Sequence, residues 1–229
     1  MPIVTSKVTL LEYTQNPEKT VATAARLCYS GSGIGTLRDG MSESEVKKLI
    51  GKIVKLGHLS CLEHAAFTFG IEGVSRAFLA QITRHRIASF SVQSQRYVSC
   101  REMNYILPPP IEELGQAAVK EYERQMETAA AWYKEWQRQL GGEGEAANED
   151  ARFVLPSAAE TKMILTMNAR ELRHFFALRC CARAQWEIRA VAQKMLAAVQ
   201  AVAPALFAAA GAPCVSGPCP EGEKGCGKQ

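Results

Sequence analysis

The segment RHRIASFSVQSQRY, residues 84–97, places two arginines and a histidine next to one another: Arg84, His85 and Arg86. Consecutive side chains are turned by about 100° on a helix and alternate in an extended segment, so these three cannot all face the same way. Such a cluster is costly to bury without anions, and the apolar residues within the segment argue against full exposure. The segment therefore predicts a site that binds several phosphates from different sides, with neutral serines and glutamines suited to a nucleobase edge. The alternative is a basic turn in solvent.

A second cluster, NARELRHFFALR at residues 168–179, has the pattern of a helix with basic groups on two faces. Asn168 is a preferred residue for a helix N-cap. Arg170 and His174 are four residues apart and share one face, whereas Arg179 follows Arg170 by nine residues and falls on the opposite face. Such a helix could bridge two ligands or two subunits. The alternative, a solvated amphipathic helix, is disfavoured because leucines and phenylalanines cover much of the remaining circumference.

The segment HLSCLEH, residues 58–64, contains two histidines with a glutamate between them. A zinc-protease helix has its histidines four residues apart with glutamate beside the first, and this segment has neither that spacing nor a third ligand nearby. We therefore predict no metal site. Two interpretations stay open: Glu63 and His64 are hydrogen-bonded locally, or His58 and Ser60 contact a ligand.

The composition of the 229 residues is that of an ordinary globular protein, with 47% hydrophobic, 22% charged and 7% aromatic residues. The net charge of +4 is too small to indicate nucleic-acid binding by itself. No stretch reaches the roughly 20 apolar residues that a membrane helix needs, and the first residues lack a basic region followed by an apolar core. We expect a cytoplasmic protein that associates with neither nucleic acid nor membrane.

Cysteine usage does not indicate a disulfide framework, because the chain is not small and shows no export signal. Five of the eight cysteines lie in apolar or helical segments and are expected to be buried as small hydrophobic side chains. These five are Cys28, Cys61, Cys100, Cys180 and Cys181. The other three lie in residues 211–229, which we expect to be a disordered or loosely packed tail. Their spacing does not fit a zinc site, although metal binding or a regulatory disulfide remains the alternative.

Strands and helices are predicted without regular alternation, which favours an α+β fold over a doubly wound sheet. Alternation and β-branched residues predict strands at residues 3–13, 66–71 and 95–99. Helical spacing of apolar residues predicts helices at residues 17–28, 46–57, 76–83, 117–140, 170–180 and 184–209, the last one kinked or ended near Pro204. The helix at 117–140 is expected to bury a stripe that runs from Val119 to Trp136.

Two capping boxes, in which a serine is followed three residues later by glutamate, predict further helix starts. Ser42 with Glu45 predicts the start of the helix that includes residues 46–57, and Ser157 with Glu160 predicts a helix that extends to about residue 167. Residues 31–40 are glycine-rich and lack the lysine of a phosphate-binding loop, so a flexible loop is expected there. Residues 141–150 are expected to form a polar linker.

Residues 84–97 resemble the signature of the flavin-dependent thymidylate synthases. In that signature Arg-His-Arg is followed by serine and then by Arg-Tyr, and the matching residues are Arg84, His85, Arg86, Ser94, Arg96 and Tyr97. Three further segments resemble the same family: GHLSCLEHAAFTF at 57–69, ARFVLP at 151–156, and TMNARELRHFFALR at 166–179 followed by AQWEIR at 184–189. The matched segments run from about Cys28 to Arg189.

The resemblance implies a fold and a reaction. The fold would be a single mixed α/β domain, residues 1–210, with an antiparallel-rich sheet packed by long helices, followed by the tail 211–229. Enzymes of the family methylate deoxyuridylate (dUMP) to thymidylate (dTMP) without an enzyme nucleophile. In them 5,10-methylenetetrahydrofolate gives the one-carbon unit, and FAD reduced by NADPH gives the hydride. They are homotetramers in which each site lies at a junction of subunits.

Site residues are implied by the resemblance, position by position. Those expected to contact FAD are His58, Ser60, Arg84, His85, Arg86, Asn168, Arg170 and His174. Those expected to contact dUMP are Gln81, Arg84, Ser94, Gln95, Arg96, Arg152 and Arg179. Arg179 is expected to be catalytic, because a fixed guanidinium beside the uracil ring stabilises negative charge that develops there.

The chain departs from the family pattern at two places. Ser91 and Val92 stand where many members have Asn-Glu, so no side-chain role is expected of Val92, and Arg183 stands where some members have histidine.

Two other functions are to be distinguished from the enzyme. A non-catalytic arginine-rich module for a nucleotide or RNA would bind no flavin and would weaken steeply with salt. A nucleotide-binding relative that has lost catalysis would lack Arg179 or the arginines of residues 84–97, which are present.

Overall fold

The computed structural model describes residues 2–227. These residues form two compact units. The first unit contains the residues up to Lys7, Ile71–Arg84 and Ser91–Met163. The second unit contains Val8–Gly70, His85–Phe90 and the residues from Ile164 onward. Residue 1, and residues 228 and 229 of the expected tail, lie outside the described part of the chain.

Four strands form one antiparallel sheet. They are β1 (Lys7–Tyr13), β2 (Ala66–Ser75), β3 (Ala88–Val92) and β4 (Glu160–Asn168). Their order in the sheet is β1-β2-β4-β3. Every second side chain of β4 is buried, which is the pattern of a strand with one face toward a core. Together with the helices, the sheet confirms the α+β class.

The helices differ widely in length. Within residues 2–227 they are α1 (Pro17–Leu27), α2 (Ile34–Asp39), α3 (Glu43–Lys55), α4 (Arg76–Ile82), α5 (Pro109–Glu113), α6 (Gln116–Gln139), α7 (Glu145–Ala151), α8 (Ala169–Arg179), α9 (Trp186–Val202) and α10 (Pro204–Phe207). The predicted capping box of α3 is confirmed, because Ser42 Oγ accepts from Glu45 N–H and the Glu45 carboxylate accepts from Ser42 N–H. None of the helices in the described residues has the length and apolar character to cross a membrane.

The second predicted helix start is wrong, because Glu160 begins β4 rather than the first turn of a helix. Its carboxylate accepts from Gly73 N–H at 3.1 Å and from Asn104 Nδ2 at 2.6 Å, so both oxygens bind partners far away in sequence. The residues that follow alternate between buried and partly exposed, as a strand requires. A capping-box spacing occurs here without a helix because tertiary hydrogen bonds satisfy the glutamate.

Three other local predictions are also corrected. Residues 31–40 contain α2, a short helix held by the buried Leu37, and residues 141–150 contain most of α7. The strand predicted at residues 95–99 is absent, because residues 95–98 form a turn, and the strand lies earlier, at β3. The turn is fixed by Ser94, whose Oγ accepts from Arg96 N–H at 3.1 Å.

The buried face of α6 includes Met126, Ala130 and Tyr133 as predicted, but it ends on Gln137 and leaves Trp136 47% exposed. Residues 126, 130, 133 and 137 are spaced by four, three and four residues, which keeps them on one face of the helix. Residue 136 lies to one side of that face. Gln137 is tolerated in the core because its oxygen accepts from Arg101 Nε at 2.7 Å and its amide donates to Tyr133 OH at 3.1 Å.

The cysteines are less buried than predicted. All eight lie in the described residues and are free, with Cys28 exposed and Cys61, Cys100, Cys180 and Cys181 partly buried. Cys28 follows α1 at its exposed C-terminal end. The helical spacing predicted Cys28 on the buried face of this helix. The helix ends one residue earlier, at Leu27, and Cys28 is exposed.

An aromatic cluster in the second unit fixes α8. The Phe176 ring meets Phe207 edge-on at 6.0 Å between centroids, and Phe207 meets Phe67 in the same way at 5.4 Å. Arg173 adds a hydrogen bond from Nη1 to the carbonyl oxygen of Leu206 at 2.7 Å. One face of α8 is thereby buried, and its remaining faces carry the basic residues singled out in the sequence.

Candidate functional site

Helix α8 begins as the sequence predicts. Asn168 is its N-cap, and the side-chain Oδ1 accepts from Glu171 N–H at 2.9 Å. The helix borders a cavity of about 740 Å³ in the second unit. Three residues expected to contact FAD line that cavity: Asn168, Arg170 and His174.

The other residues expected to contact FAD are placed differently. His58, Ser60, His85 and Arg86 belong to the second unit but lie outside the lining of this cavity, whereas Arg84 belongs to the first unit. Arg84 and Arg86 are exposed and His85 between them is buried. The expectation that the three neighbouring side chains do not share one surface is confirmed.

Arg170 forms an ion pair at the cavity wall with Glu63, with 2.5 Å between Nη1 and Oε1. The expectation of local hydrogen bonding for Glu63 is therefore wrong, because its partner is 107 residues away in sequence. Both side chains are about half exposed, so the pair contributes at most about 1 kcal/mol to stability. Its importance lies in where it holds the guanidinium, at the wall of the cavity.

His85 lies at the centre of a hydrogen-bonded chain in the second unit, in which His85 and Glu171 are buried and Arg179 is partly buried. Its Nδ1 is 3.0 Å from Glu171 Oε1, and the two side chains are only 4% and 8% exposed. On the other side of the ring, Arg179 Nε donates to His85 Nε2 at 3.1 Å. Phe175 packs edge-on against the imidazole at 4.9 Å between centroids. Both ring nitrogens are thus engaged by protein groups.

The protonation state of His85 follows from these partners. Burial lowers its pKa most, the charges of Arg179 and His174 lower it further, and the hydrogen bond to Glu171 opposes them. Arginine has no acceptor, so Nε2 must be unprotonated to receive the Arg179 hydrogen. The proton of the neutral ring is therefore on Nδ1, where it is donated to Glu171.

The residues expected to contact dUMP belong to the first unit, apart from Arg179. Arg96 is flanked by two carboxylates of α7, with 2.6 Å from Nη2 to Glu145 and 2.7 Å from Nε to Glu149. Ser94 and Gln95 line a smaller cavity of about 160 Å³.

The remaining three residues of that set lie outside the lining of this smaller cavity. Arg152 Nε donates to the carbonyl oxygen of Glu149 at 3.0 Å. Gln81 is partly buried near the end of α4, and Arg84 follows it in an exposed turn.

Four acidic residues of these arrangements were missed by sequence reasoning: Glu63, Glu145, Glu149 and Glu171. Glu63 was noticed, but only as a local hydrogen-bonding group. Glu145 and Glu149 lie in the segment interpreted as a linker, and their four-residue spacing on one helical face was the available signal. Glu171 carries no such signal, because an acidic residue in the first turn of a helix is common without any further role.

Comparison with known proteins gives consistent matches. The model of the family described as thymidylate synthase complementing protein matches residues 9–205. The chain is 55% identical to the flavin-dependent thymidylate synthase of Geobacter sulfurreducens, over 97% of this chain and 94% of that protein. It is 48% identical to the protein of the same name from Clostridium tetani, over 97% of this chain and 93% of that protein. For the Pyrococcus furiosus protein the identity is 44%, over 83% and 77% of the two chains.

Proposed function

The chain belongs to the thymidylate synthase complementing protein family, and we propose that it works as a flavin-dependent thymidylate synthase that converts dUMP to dTMP. The observation that carries this conclusion is the 55% identity to the Geobacter sulfurreducens enzyme over 97% of the chain. The cofactor is FAD, and NADPH and 5,10-methylenetetrahydrofolate are the co-substrates.

The cavity beside α8 suits a flavin dinucleotide in size and chemistry. Its wall combines apolar residues such as Leu59 and Ala177, which suit a ring face, with Asn168 and His174, which suit polar edges. Arg170 offers a half-exposed guanidinium to a phosphate, which would replace or share Glu63. When bound, FAD supplies the hydride that completes the methyl group. The residues proposed to contact it are the eight inferred from the family resemblance. Asn168, Arg170 and His174 line this cavity. The other five, which lie outside its lining, are His58, Ser60, Arg84, His85 and Arg86.

Arg179 is the catalytic residue in this proposal. Its Nε is bound to His85, so the two terminal nitrogens keep their four N–H donors for a ligand. Set beside the uracil ring, they would stabilise the negative charge that develops as a ring carbon becomes nucleophilic. Burial raises the pKa of the neighbouring Cys180 to about 11, so that thiol is protonated at neutral pH. This protonation state agrees with a reaction in which Cys180 does not attack the ring.

In the first unit, a charged side chain is proposed for the phosphate of dUMP, and neutral polar side chains are proposed for its sugar or base. Arg96 suits the phosphate, whose two negative charges would replace the Glu145 and Glu149 carboxylates that now flank it. Ser94 and Gln95 offer neutral donors and acceptors from their cavity wall, which suit the sugar or the base. Gln81, Arg84, Arg152 and Arg179 complete the proposed set.

The proposal extends to organisation and assembly. We propose residues 1–210 as one domain with the fold of this family and 211–229 as a tail, in a cytoplasmic homotetramer that binds neither nucleic acid nor membrane. The exposed side chains of Trp132 and Trp136 on one face of α6 support contact with another subunit. Sedimentation of the purified protein tests the assembly, since a monomer at micromolar concentration would contradict it.

The absorption spectrum tests the flavin part of the proposal. We expect the purified protein, supplied with FAD, to show flavin bands near about 450 nm that change when dUMP is added, because both ligands would share a site. Deoxyuridine, which is dUMP without its phosphate, is the control and should leave the bands unchanged at equal concentration. Failure to retain FAD under these conditions would contradict the proposed function.

A further inference from the structure

A chain of hydrogen bonds joins Glu171, His85 and Arg179. We propose, on the basis of the thymidylate synthase function above, that Glu171 is a positioning residue that acts through His85 to hold the Arg179 guanidinium in one orientation. In this arrangement Glu171 selects the tautomer of His85, and the tautomer determines whether His85 can accept the hydrogen of Arg179 Nε.

The geometry supports a directional chain of hydrogen bonds. The distances are 3.0 Å from Glu171 Oε1 to His85 Nδ1 and 3.1 Å from His85 Nε2 to Arg179 Nε. With the proton on Nδ1, His85 donates to the carboxylate and accepts from the guanidinium. The other tautomer would set two N–H groups against each other at Nε2 and leave a buried carboxylate without its donor, which is costly. Only one tautomer satisfies all three side chains.

The Nε contact is the one that fixes the plane of an arginine. The terminal nitrogens of a free guanidinium sweep through a wide range of positions as the side chain rotates, whereas an acceptor at Nε holds the planar group at its base. The four remaining N–H donors then point in fixed directions before any ligand arrives. Preorganised donors of this kind stabilise developing charge more effectively than donors that must reorient during the reaction.

Burial of the Glu171 carboxylate costs free energy, because a charged group is removed from water. Its side chain is only 8% exposed, and it is hydrogen-bonded to a histidine whose pKa is lowered, not to a permanently charged partner. The N-terminus of α8 offsets part of this cost, because Glu171 lies in the first turn. An apolar residue would pack in the same place without that cost, so stability alone does not explain the carboxylate. The orientation of His85 by the carboxylate explains why it is there.

The surroundings of His85 permit little else to set its tautomer. The titratable and charged groups that act on it are Glu171, Arg179 and His174, of which His174 lies 6.1 Å away between ring centroids. The fourth neighbour, Phe175, is apolar and packs against the ring edge-on. Glu171 is the acceptor that meets Nδ1.

Nitrogen NMR of histidine-labelled protein tests the tautomer without any reaction. The chain has four histidines, and the His85 signals are assigned by their loss in His85→Gln. We expect His85 in the wild type to carry its proton on Nδ1 and Glu171→Gln to populate the Nε2 tautomer, because the amide can donate to Nδ1. A proton on Nε2 in the wild-type protein would overturn the proposal. This readout holds even if the protein makes no dTMP, so it separates the two proposals.

Kinetics of matched variants test the consequence. We expect Glu171→Gln to lower kcat by between about tenfold and 10²-fold, with the thermal midpoint changed little. Wild-type kcat in Glu171→Gln would overturn the proposal. His85→Gln can still accept from Arg179 and donate to Glu171 through one amide, whereas His85→Leu can do neither. We therefore expect His85→Gln to retain at least about tenfold more kcat than His85→Leu, and equal losses in two folded variants would contradict the chain of hydrogen bonds.

Discussion

At the scale of single residues, Arg179 carries the proposed chemistry. We expect Arg179→Ala to lower kcat/KM for dUMP by about 10²- to 10³-fold, because a fixed donor beside the developing charge is lost. FAD should remain bound, since the cavity that suits it is lined by other residues of α8. The matched control is Arg124→Ala, which removes an exposed arginine of α6 paired with Glu121 and should keep wild-type activity. Full activity of Arg179→Ala would remove its assigned role.

His174 gives the corresponding prediction for the cofactor. Its side chain lines the cavity beside α8, so His174→Ala should raise the Kd for FAD by about tenfold, the loss of one hydrogen bond to a charged or polar ligand group. Fluorescence titration of FAD measures this change. His64→Ala is the control, because His64 is exposed and lies outside the lining of that cavity. Equal FAD affinity in both variants would exclude His174 from the site.

His85 makes stability depend on pH. Because burial lowers its pKa in the folded state, the unfolded chain, with a histidine pKa of about 6.5, binds the proton more readily. The contribution of neutral His85 to the free energy of unfolding is complete above about pH 6.5 and is lost as the pH falls toward the lowered value. Urea unfolding between pH 7 and pH 5 should therefore show a smaller loss of stability in His85→Gln than in the wild type. The same dependence on pH in both proteins would refute this assignment.

At the scale of secondary-structure elements, two glycines should respond in opposite directions to the same substitution. Gly73 in β2 has φ of +65°, and a Cβ there would lie 2.2 Å from the carbonyl oxygen of Thr5. Gly73→Ala should lower the free energy of unfolding by about 2 kcal/mol or more. Gly51 lies within α3 with nothing near its Cβ position, so Gly51→Ala should raise it by about 0.5–1 kcal/mol. Urea denaturation checks both, and a stable Gly73→Ala variant would contradict the contact with Thr5.

The elements also show where local sequence patterns suffice. Ser42 with Glu45 formed its capping box because solvent-exposed groups at a helix start have no competing partner. Ser157 with Glu160 has the same spacing and forms none, because Gly73 and Asn104 bind the glutamate. The pattern describes an isolated segment, and a strand in a sheet gains more from its neighbours than from its own turn.

The basic residues of the candidate site were predictable from the sequence, whereas the acidic residues were not. The basic residues stood out because they cluster within 84–97 and 168–179, and the helical spacing correctly placed Arg170 and Arg179 on different faces of α8. The acidic residues that hold them did not stand out. Glu63 lies 107 residues from Arg170 and Glu171 lies 86 residues from His85, so only the fold brings each pair together.

At the scale of the whole molecule, the family match covers residues 9–205 and the relatives are similar over nearly their full lengths. The cavity proposed for FAD beside α8 and the hydrogen-bonded Arg179 both belong to the second unit, and the Arg96 arrangement with its carboxylates belongs to the first. In the proposed function, the cavity would bind FAD, Arg179 would be a fixed hydrogen-bond donor to the uracil ring, and Arg96 would bind the phosphate of dUMP.

Formation of dTMP is the most direct measurement of the proposed activity. The purified protein is incubated anaerobically with dUMP, 5,10-methylenetetrahydrofolate, FAD and NADPH, and the nucleotide products are separated and quantified. We predict dTMP in the complete mixture, little without FAD or NADPH, and a loss of about 10²-fold or more in Arg179→Ala. A folded protein that binds both FAD and dUMP and yet forms no dTMP in the complete mixture would contradict the proposed function.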